Sequence, residues 1–237
     1  MTTNGSSAVV IEVGFELLKR VVPSGLAWVT TWIRGKKIMI VGQPRSGKTS
    51  FLRYLRFGIY ADPSEHTPRT RRITKTASFT LGMGKNEALK FEVRNVIDTV
   101  GQVAGEEHAR NVAKYNPHEL IVVLDLTSEW RGTNEYSAGF YLEEFCDYLA
   151  ERIDRSKSLK SNLKSITVII NKKDKDKAKR SNRWKVMIRI MVKDKLRHSF
   201  GAKAKDIPIL ACSLVEKYDK GKLANNAITK IALALVK

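Results

Sequence analysis

The sequence predicts an α/β fold with three αβα layers, in which a mostly parallel sheet carries one antiparallel edge strand. Continuously apolar segments at 37–41, 120–126, 165–170 and 207–211 alternate with longer segments of helical periodicity. Strands that are apolar along their whole length are typical of a parallel sheet covered on both faces. Between residues 72 and 98, two alternating segments flank the turn GMGKNE, which predicts a hairpin and therefore the antiparallel edge strand.

The helices follow from apolar residues that recur at helical spacing between these strands. They are predicted near 48–58, 104–115, 134–154 and 181–199, with one more helix at the end of the chain. Residues 8–22 have a wide apolar face with Glu and Lys/Arg on a narrow stripe, which predicts an amphipathic helix. We therefore expect an N-terminal amphipathic extension at 1–35 and an α/β domain at 36–237.

Composition indicates a globular protein with an anionic partner. The chain has 237 residues, 43% of them hydrophobic, and a formal net charge of +19. Such a charge favours nucleic acid, an anionic membrane or an acidic protein as the partner. Neither of the two cysteines lies in a metal-binding spacing, and no transmembrane segment, signal peptide or lipidation motif is expected. We expect a cytoplasmic protein with reduced thiols, with peripheral membrane association as a further expectation.

The segment GQPRSGKT at 42–49 matches the pattern G-x-x-x-x-G-K-[ST] and lies between a predicted strand and a predicted helix. In such a P-loop the backbone N–H groups converge on phosphate oxygens, Lys48 reaches the β- and γ-phosphates, and the Thr49 hydroxyl is a ligand for Mg²⁺. The fold is therefore expected to be of the P-loop nucleotide triphosphatase type. The candidate phosphate-binding residues are Gly42, Arg45, Ser46, Gly47, Lys48, Thr49 and Ser50.

The segment NKKD at 171–174 directly follows an apolar strand and is the candidate base-reading motif. The Asp174 carboxylate can accept two N–H bonds from guanine, whereas adenine would set an acceptor against it. We expect Asn171 to bind the base edge and tether the P-loop, and the stem of Lys172 to cover the base. After the last strand, a backbone N–H in the segment Cys212, Ser213 and Leu214 is expected to bind the guanine oxygen.

The segment DTVGQ at 98–102 ends the second strand of the predicted hairpin. Asp98 can hold Mg²⁺ through water, the Gly101 N–H can meet the γ-phosphate, and Gln102 can orient the attacking water.

In this order, GQPRSGKT, DTVGQ, NKKD and ACS resemble the motifs of the Ras-like small GTPases over residues 36–237. The resemblance implies a GTP-binding switch with Mg²⁺ and slow intrinsic hydrolysis to GDP. It implies two switch segments that act on an effector protein, with activating and exchange partners.

The resemblance also implies a threonine before the hairpin that contacts Mg²⁺ and the γ-phosphate. A hairpin turn near 84–85 places Asp98 opposite residue 72, so Thr70 fits best and Thr67 second. The catalytic candidates are then Gln102, Lys48 and Thr70, and the metal ligands Thr49, Thr70 and Asp98. The segment TPRTRRI also resembles the switch I of ribosome-assembly GTPases, so an RNA- or ribosome-associated GTPase is the alternative.

Three residues depart from the Ras pattern. Pro44 and Arg45 replace glycines of the loop, and Val100 replaces a small residue. Because these changes can slow hydrolysis, a GTP-binding module with negligible turnover is a further alternative.

The basic segment 172–206 holds fourteen Lys/Arg against four Asp. Its helix has an apolar face, with Trp184, Met187, Ile188, Met191 and, more loosely, Leu196, which predicts docking on the domain. The outward face would carry Lys185, Arg189, Lys193 and Arg197. A solvated face without a partner is one interpretation; among partners, anionic lipid or an acidic protein is favoured, with RNA behind them. The four histidines show no ligand spacing and are expected in loops or on the surface.

Overall fold

A computed structural model provides the structure of the chain. It describes residues 9–11, 37–57, 60, 74–75, 79–83, 90–93, 95–98, 104–134, 136–177, 179–215 and 227.

A six-stranded sheet forms the centre of the domain, in the order β3-β6-β2-β7-β8-β9. The strands are β2 (Lys37–Gly42), β3 (Thr74–Lys75), β6 (Asn95–Asp98), β7 (Glu119–Asp125), β8 (Ser165–Asn171) and β9 (Ile209–Ala211). The pairs β2–β6, β2–β7, β7–β8 and β8–β9 are all parallel, and β3 pairs antiparallel with β6 at one end of the sheet. The carboxyl ends of five strands therefore meet at one edge, where an α/β sheet places its ligands.

Five α-helices are seen in the described part of the chain. They are α1 (Lys48–Phe57), α2 (Gly105–Tyr115), α3 (Ala138–Arg155), α4 (Lys157–Asn162) and α5 (Arg180–Phe200). Short 3₁₀ helices lie at Lys173–Lys175 and Gly201–Asp206. The sequence predicts the ends of α1, α2 and α5 to within two residues. It places the start of α3 four residues too early, because residues 126–134, 136 and 137 lie outside any helix, and it misses α4.

The sheet is buried between layers of helices. Alternate residues of β2 and β7, such as Met39 and Val122, belong to one apolar core with α2, α3 and α5. The residues between them, such as Ile38 and Ile121, are also buried but lie outside that core. Because successive strand residues point to opposite faces, the sheet is covered on both sides. Helix α1, with buried Phe51 and Tyr54, packs near β2 and β6. The predicted three-layer α/β architecture is confirmed.

The predicted hairpin forms with a different register. β4 (Phe79–Met83) and β5 (Lys90–Val93) pair antiparallel, with Gly82 opposite Lys90, while Thr74 of β3 lies opposite Asp98 of β6. Both pairings are symmetric about residue 86, so the expected turn near 84–85 is wrong by one to two residues. When the centre of a hairpin turn moves by one residue, the pairing partner of every strand residue moves by two. Asp98 therefore pairs with Thr74 and not with residue 72.

The helix predicted for 8–22 is wrong at its start. Val9–Ile11 form strand β1, which pairs parallel with β4 in a separate three-stranded sheet with β5. The β-branched run Val9-Val10-Ile11 favours the extended conformation over the helix. The rest of the predicted extension and the predicted C-terminal helix lie outside the described residues, apart from helical Ala227.

The basic helix docks on the domain as the sequence predicts. Trp184, Ile188 and Leu196 are buried, as is Val192, and Met187 and Met191 are half-buried. Trp184 packs edge-on against Trp130, with ring centroids 5.1 Å apart, so the helix contacts the loop after β7. Of the helices described, none is sufficiently long and apolar to cross a membrane.

Candidate nucleotide-binding site

The phosphate loop joins the carboxyl end of β2 to the first turn of α1. The backbone of Gly42, Arg45 and Gly47 has positive φ, at 153°, 60° and 89°. A Cβ atom on Gly42 would lie 2.0 Å from the Val123 carbonyl oxygen, and one on Gly47 would lie 2.4 Å from Asn171 Nδ2. The two glycines of the motif are therefore required by the neighbouring strands β7 and β8 as well as by any phosphate in the loop.

Lys48 is buried in the mouth of this loop. Only 4% of the residue is exposed, and its Nζ donates to the carbonyl oxygens of Gly42 at 2.7 Å and of Gln43 at 2.9 Å. The Ser46 hydroxyl is buried and has no hydrogen-bond partner among the residues described. A buried ammonium group beside an orphaned hydroxyl, at a helix N-terminus, fits an anionic group better than a neutral one.

Gln43 fastens the loop to the segment after β7. It is 1% exposed; its Oε1 accepts from the Asp125 N–H at 3.3 Å, and its Nε2 donates to Ser128 Oγ and to the Tyr136 carbonyl, both at 2.9 Å. The Arg45 guanidinium lies 5.9 Å from the centre of the Tyr136 ring. The sequence does not indicate this role of Gln43, because only the fold shows which segment lies beside the second position of the loop.

The structure joins the base-reading segment to the phosphate loop. Asn171 ends β8, is 3% exposed, and donates from Nδ2 to the Ser46 carbonyl at 2.9 Å. This is the tether to the loop that the sequence predicts. Its Oδ1 has no partner within the described residues, so one face of the amide is free to accept from a ligand.

Lys172 is held in place by the carboxylate of Asp125, a role that the sequence does not indicate. Its backbone is left-handed, with φ of 62°, and its Nζ lies 2.5 Å from Asp125 Oδ2. Asp125 is 6% exposed, and its Oδ1 accepts from the Thr127 N–H at 2.8 Å and hydroxyl at 2.6 Å. Asp125 thus contacts the loop through Gln43 and the base-reading segment through Lys172.

Asp174 meets the segment that ends β9. Ser213 Oγ donates to Asp174 Oδ1 at 2.8 Å, and the Lys173 N–H donates to the Cys212 carbonyl at 3.0 Å. Cys212, Ser213 and Leu214 are buried, while Asp174 is half-buried. Because β8 and β9 are parallel neighbours, with Ile170 opposite Ala211, two distant motifs arrive at the same edge. The hydroxyl of Ser213 orients the carboxylate, a role that the sequence does not indicate.

The switch residues are described only in part. Asp98 is the last residue of β6, and its backbone lies beside Ile40 of β2, so it is at the same edge as the phosphate loop. Thr49 is half-buried in the first turn of α1. Threonine and aspartate are residue types that ligate Mg²⁺, and Thr49 and the backbone of Asp98 lie at the same edge. Thr67, Thr70, Gly101 and Gln102 lie outside the described residues.

Helix α2, which begins three residues after Gln102, is fixed to α3. The Gly105 N–H donates to Glu144 Oε2 at 2.8 Å, and His108 Nδ1 lies 2.8 Å from the Tyr141 hydroxyl. His108 is fully buried, so its expected place in a loop or at the surface is wrong. Burial raises the pKa of Tyr141 well above its ordinary value, and the nearby Gly42 backbone lowers it only in part. A neutral phenol therefore lies between α2 and the phosphate loop.

The comparisons with known proteins add no family. No protein-family model matches the chain, and no curated protein matches it. Among solved structures it is similar to the RocCORdC segment of Roco2 from Methanosarcina barkeri bound to GDP, at 19% identity. That match covers 85% of this chain and 49% of the other, with a TM-score of 0.48, so this chain spans about half the length of that protein. The topology and the loop geometry define the class as a P-loop nucleotide-binding domain.

Proposed function

We propose that this chain binds GTP and GDP and hydrolyses GTP in the presence of Mg²⁺, as a cytoplasmic switch. The observation that carries the proposal is the hydrogen bond from Asn171 Nδ2 to the Ser46 carbonyl at 2.9 Å. This hydrogen bond joins the phosphate loop to the segment 171–174, which begins at Asn171 and ends at Asp174. A nucleotide that lies between the two has its phosphates at one and its base at the other.

The guanine preference is argued from Asp174. Its Oδ1 accepts from Ser213 Oγ, which leaves Oδ2 and the second lone pair of Oδ1 for a base. Guanine offers two N–H groups on one edge, and a carboxylate accepts both. Adenine offers an acceptor at the corresponding position, so its binding would leave the carboxylate unpaired.

Hydrolysis is assigned to residues near the γ-phosphate. Thr49 and Asp98, with Thr70 or Thr67, would hold Mg²⁺, which neutralises charge that develops on the phosphates. Lys48 would stabilise the same charge, and Gln102 would orient the attacking water. Gln102 precedes α2 by three residues in the sequence, so a shift of that helix would move the residue that orients the water. This is how the switch would act on an effector protein.

The guanine assignment is tested by Asp174→Asn. The wild type is expected to bind GDP and GTP tightly and ATP weakly in isothermal titration calorimetry. The variant should lose GTP affinity by about a hundredfold and gain affinity for xanthosine triphosphate, whose base has an acceptor where guanine has a donor. Asp206→Asn removes the same charge from an exposed position and should change nothing. An unaltered nucleotide preference in Asp174→Asn would refute the assignment.

Hydrolysis is tested by single-turnover measurements with GTP and Mg²⁺. The wild type is expected to hydrolyse GTP slowly, and Gln102→Leu to slow the rate further while GDP affinity stays the same. Tight binding with no turnover by the wild type, alone or with cell extract, would leave a GTP-binding module and refute the catalytic part of the proposal.

A further inference from the structure

Helix α5 presents an apolar and basic stripe on the side opposite its docked face. Arg183, Val186, Ile190, Lys193 and Arg197 follow each other at spacings of three and four residues and are all exposed. At 100° per residue they lie within about 80° of arc. Val186 and Ile190, 58% and 57% exposed, are the most exposed large apolar residues of the described chain. We call these five residues the α5 stripe.

The described part of the domain does not neutralise the cations of the α5 stripe. Within the described residues, Arg183, Lys193 and Arg197 take part in no ion pair. The half-buried Lys195, by contrast, pairs with Asp147 and Glu143 of α3. Asp194 is the one acidic residue of α5. The positive charge continues past the N-terminus of the helix with exposed Lys175, Lys177 and Lys179. The helix is about 31 Å long, so a broad basic field surrounds two aliphatic side chains.

The residue types of the α5 stripe favour one class of anionic partner over the others. Proteins that bind single-stranded nucleic acid stack bases on exposed aromatic rings, but Trp184 and Phe200, the aromatic residues of α5, are buried. A stable protein interface buries about 800 Å² on each partner around a packed apolar centre, whereas the stripe is a single convex helix face with two aliphatic side chains. Anionic lipids diffuse laterally, so a bilayer can match cations at any spacing and accept two aliphatic side chains among its headgroups.

We propose that the α5 stripe is a docking surface for an anionic phospholipid bilayer. Arg183, Lys193 and Arg197 contact the headgroup phosphates and carboxylates, while Val186 and Ile190 enter the interface between them. The helix lies parallel to the membrane plane, because its opposite face is buried against the domain. The proposal is independent of which nucleotide the site binds.

The test is sedimentation of the full chain with phosphatidylcholine vesicles, with and without phosphatidylserine, over a range of salt concentrations. We expect binding only to the vesicles with phosphatidylserine, and weaker binding at higher salt. Arg183→Gln with Lys193→Gln should lower the partition coefficient by about tenfold or more, because each cation near the surface contributes about a fivefold factor. Val186→Ser with Ile190→Ser should lower it about severalfold without any change of net charge.

The matched control is Lys157→Gln with Lys160→Gln, which removes two exposed cations from α4. It should leave vesicle binding nearly unchanged, and every variant should keep the GDP affinity of the wild type, which shows that the fold is intact. An equal loss in the α4 and α5 charge variants, or no binding to phosphatidylserine, would overturn the proposal. So would α5 variants that lose affinity for single-stranded RNA while their vesicle binding persists, since the surface would then be a nucleic-acid site.

Discussion

At the scale of single residues, Asp125 holds the two halves of the nucleotide site in place. Its backbone N–H contacts Gln43 of the phosphate loop, and its side chain contacts Lys172 of the base-reading segment. The carboxylate is buried and accepts from Thr127 as well, so its position is determined by several partners. Lys172 adopts a left-handed backbone, which a non-glycine residue keeps only where surrounding contacts stabilise it.

Asp125→Asn is expected to weaken GDP and GTP binding together by about tenfold or more. The change removes a hydrogen bond between charged groups, which typically contributes about 1.5–3 kcal/mol, and leaves the backbone contact to Gln43 in place. Calorimetric titration of both nucleotides measures it. Asp147→Asn is the control, since it breaks a surface ion pair between Asp147 of α3 and Lys195 of α5. If the two variants bind equally well, Asp125 does not position Lys172 for the nucleotide.

At the scale of elements, Tyr141 of α3 lies between α2 and the phosphate loop. His108 of α2 contacts the Tyr141 hydroxyl, and the Gly42 backbone is near enough to lower the pKa of the same group in part. Helices α2 and α3 also pack closely at Gly105, where a Cβ atom would lie 2.6 Å from the Phe145 backbone nitrogen. The residue proposed to orient water, Gln102, lies just before this fixed helix. A small change in α3 is therefore expected to reach both the loop and α2.

Tyr141→Phe should lower the free energy of unfolding by about 1–3 kcal/mol, because it removes a hydrogen-bond partner of the buried His108 ring. It should also slow single-turnover GTP hydrolysis, since α2 is held less firmly. Urea denaturation and single-turnover kinetics measure the two effects. Tyr148→Phe removes a half-buried hydroxyl from the same helix and should affect neither. Kinetics like those of the wild type in Tyr141→Phe would show that this contact is structural only.

At the scale of the whole molecule, a carboxyl group at the far end of the sheet makes stability depend on pH. Glu119 begins β7 between β2 and β8, is fully buried, and accepts from Thr167 Oγ1 at 2.9 Å. Burial raises the pKa of Glu119 to about 8, and the hydrogen bond from Thr167 lowers it only in part. The folded protein therefore keeps this proton at neutral pH, whereas the unfolded chain releases it near its ordinary value of 4.5.

Because the folded state binds the extra proton, the contribution of Glu119 to stability is complete below about pH 4.5 and is lost as pH rises towards 8. Glu119→Gln should remove this slope and raise the free energy of unfolding at pH 8, relative to wild type, by on the order of a few kcal/mol. Urea denaturation at several pH values measures it. The exposed Glu129→Gln should keep the slope of the wild type. Parallel pH profiles for wild type and Glu119→Gln would contradict the prediction.

Most of the architecture could be predicted from the sequence. The apolar runs of β2, β7 and β8 and the periodicity of α1, α2 and α5 are local patterns, and the structure has these elements within two residues at most of their ends. The hairpin register was wrong because the turn segment GMGKNE offers several positions for its centre. The β-branched run Val9–Ile11 favours a strand, but its pairing with β4 is a contact between residues 72 positions apart that no local pattern reveals.

By itself, the sequence predicted the strands and helices of the central α/β domain apart from α4, the phosphate loop, and a candidate base-reading segment, since each is a contiguous run whose residue types and spacing are legible without a fold. Only the tertiary structure decided which side chains hold these segments. Gln43 reaches Ser128 and Tyr136, Asp125 reaches Lys172, and His108 reaches Tyr141. These partners lie 33 to 93 residues apart along the chain. The first three pairs meet because the strand order brings the carboxyl ends of β2, β7 and β8 to one edge, and the last because α2 packs on α3. Both are non-local properties that no single segment encodes.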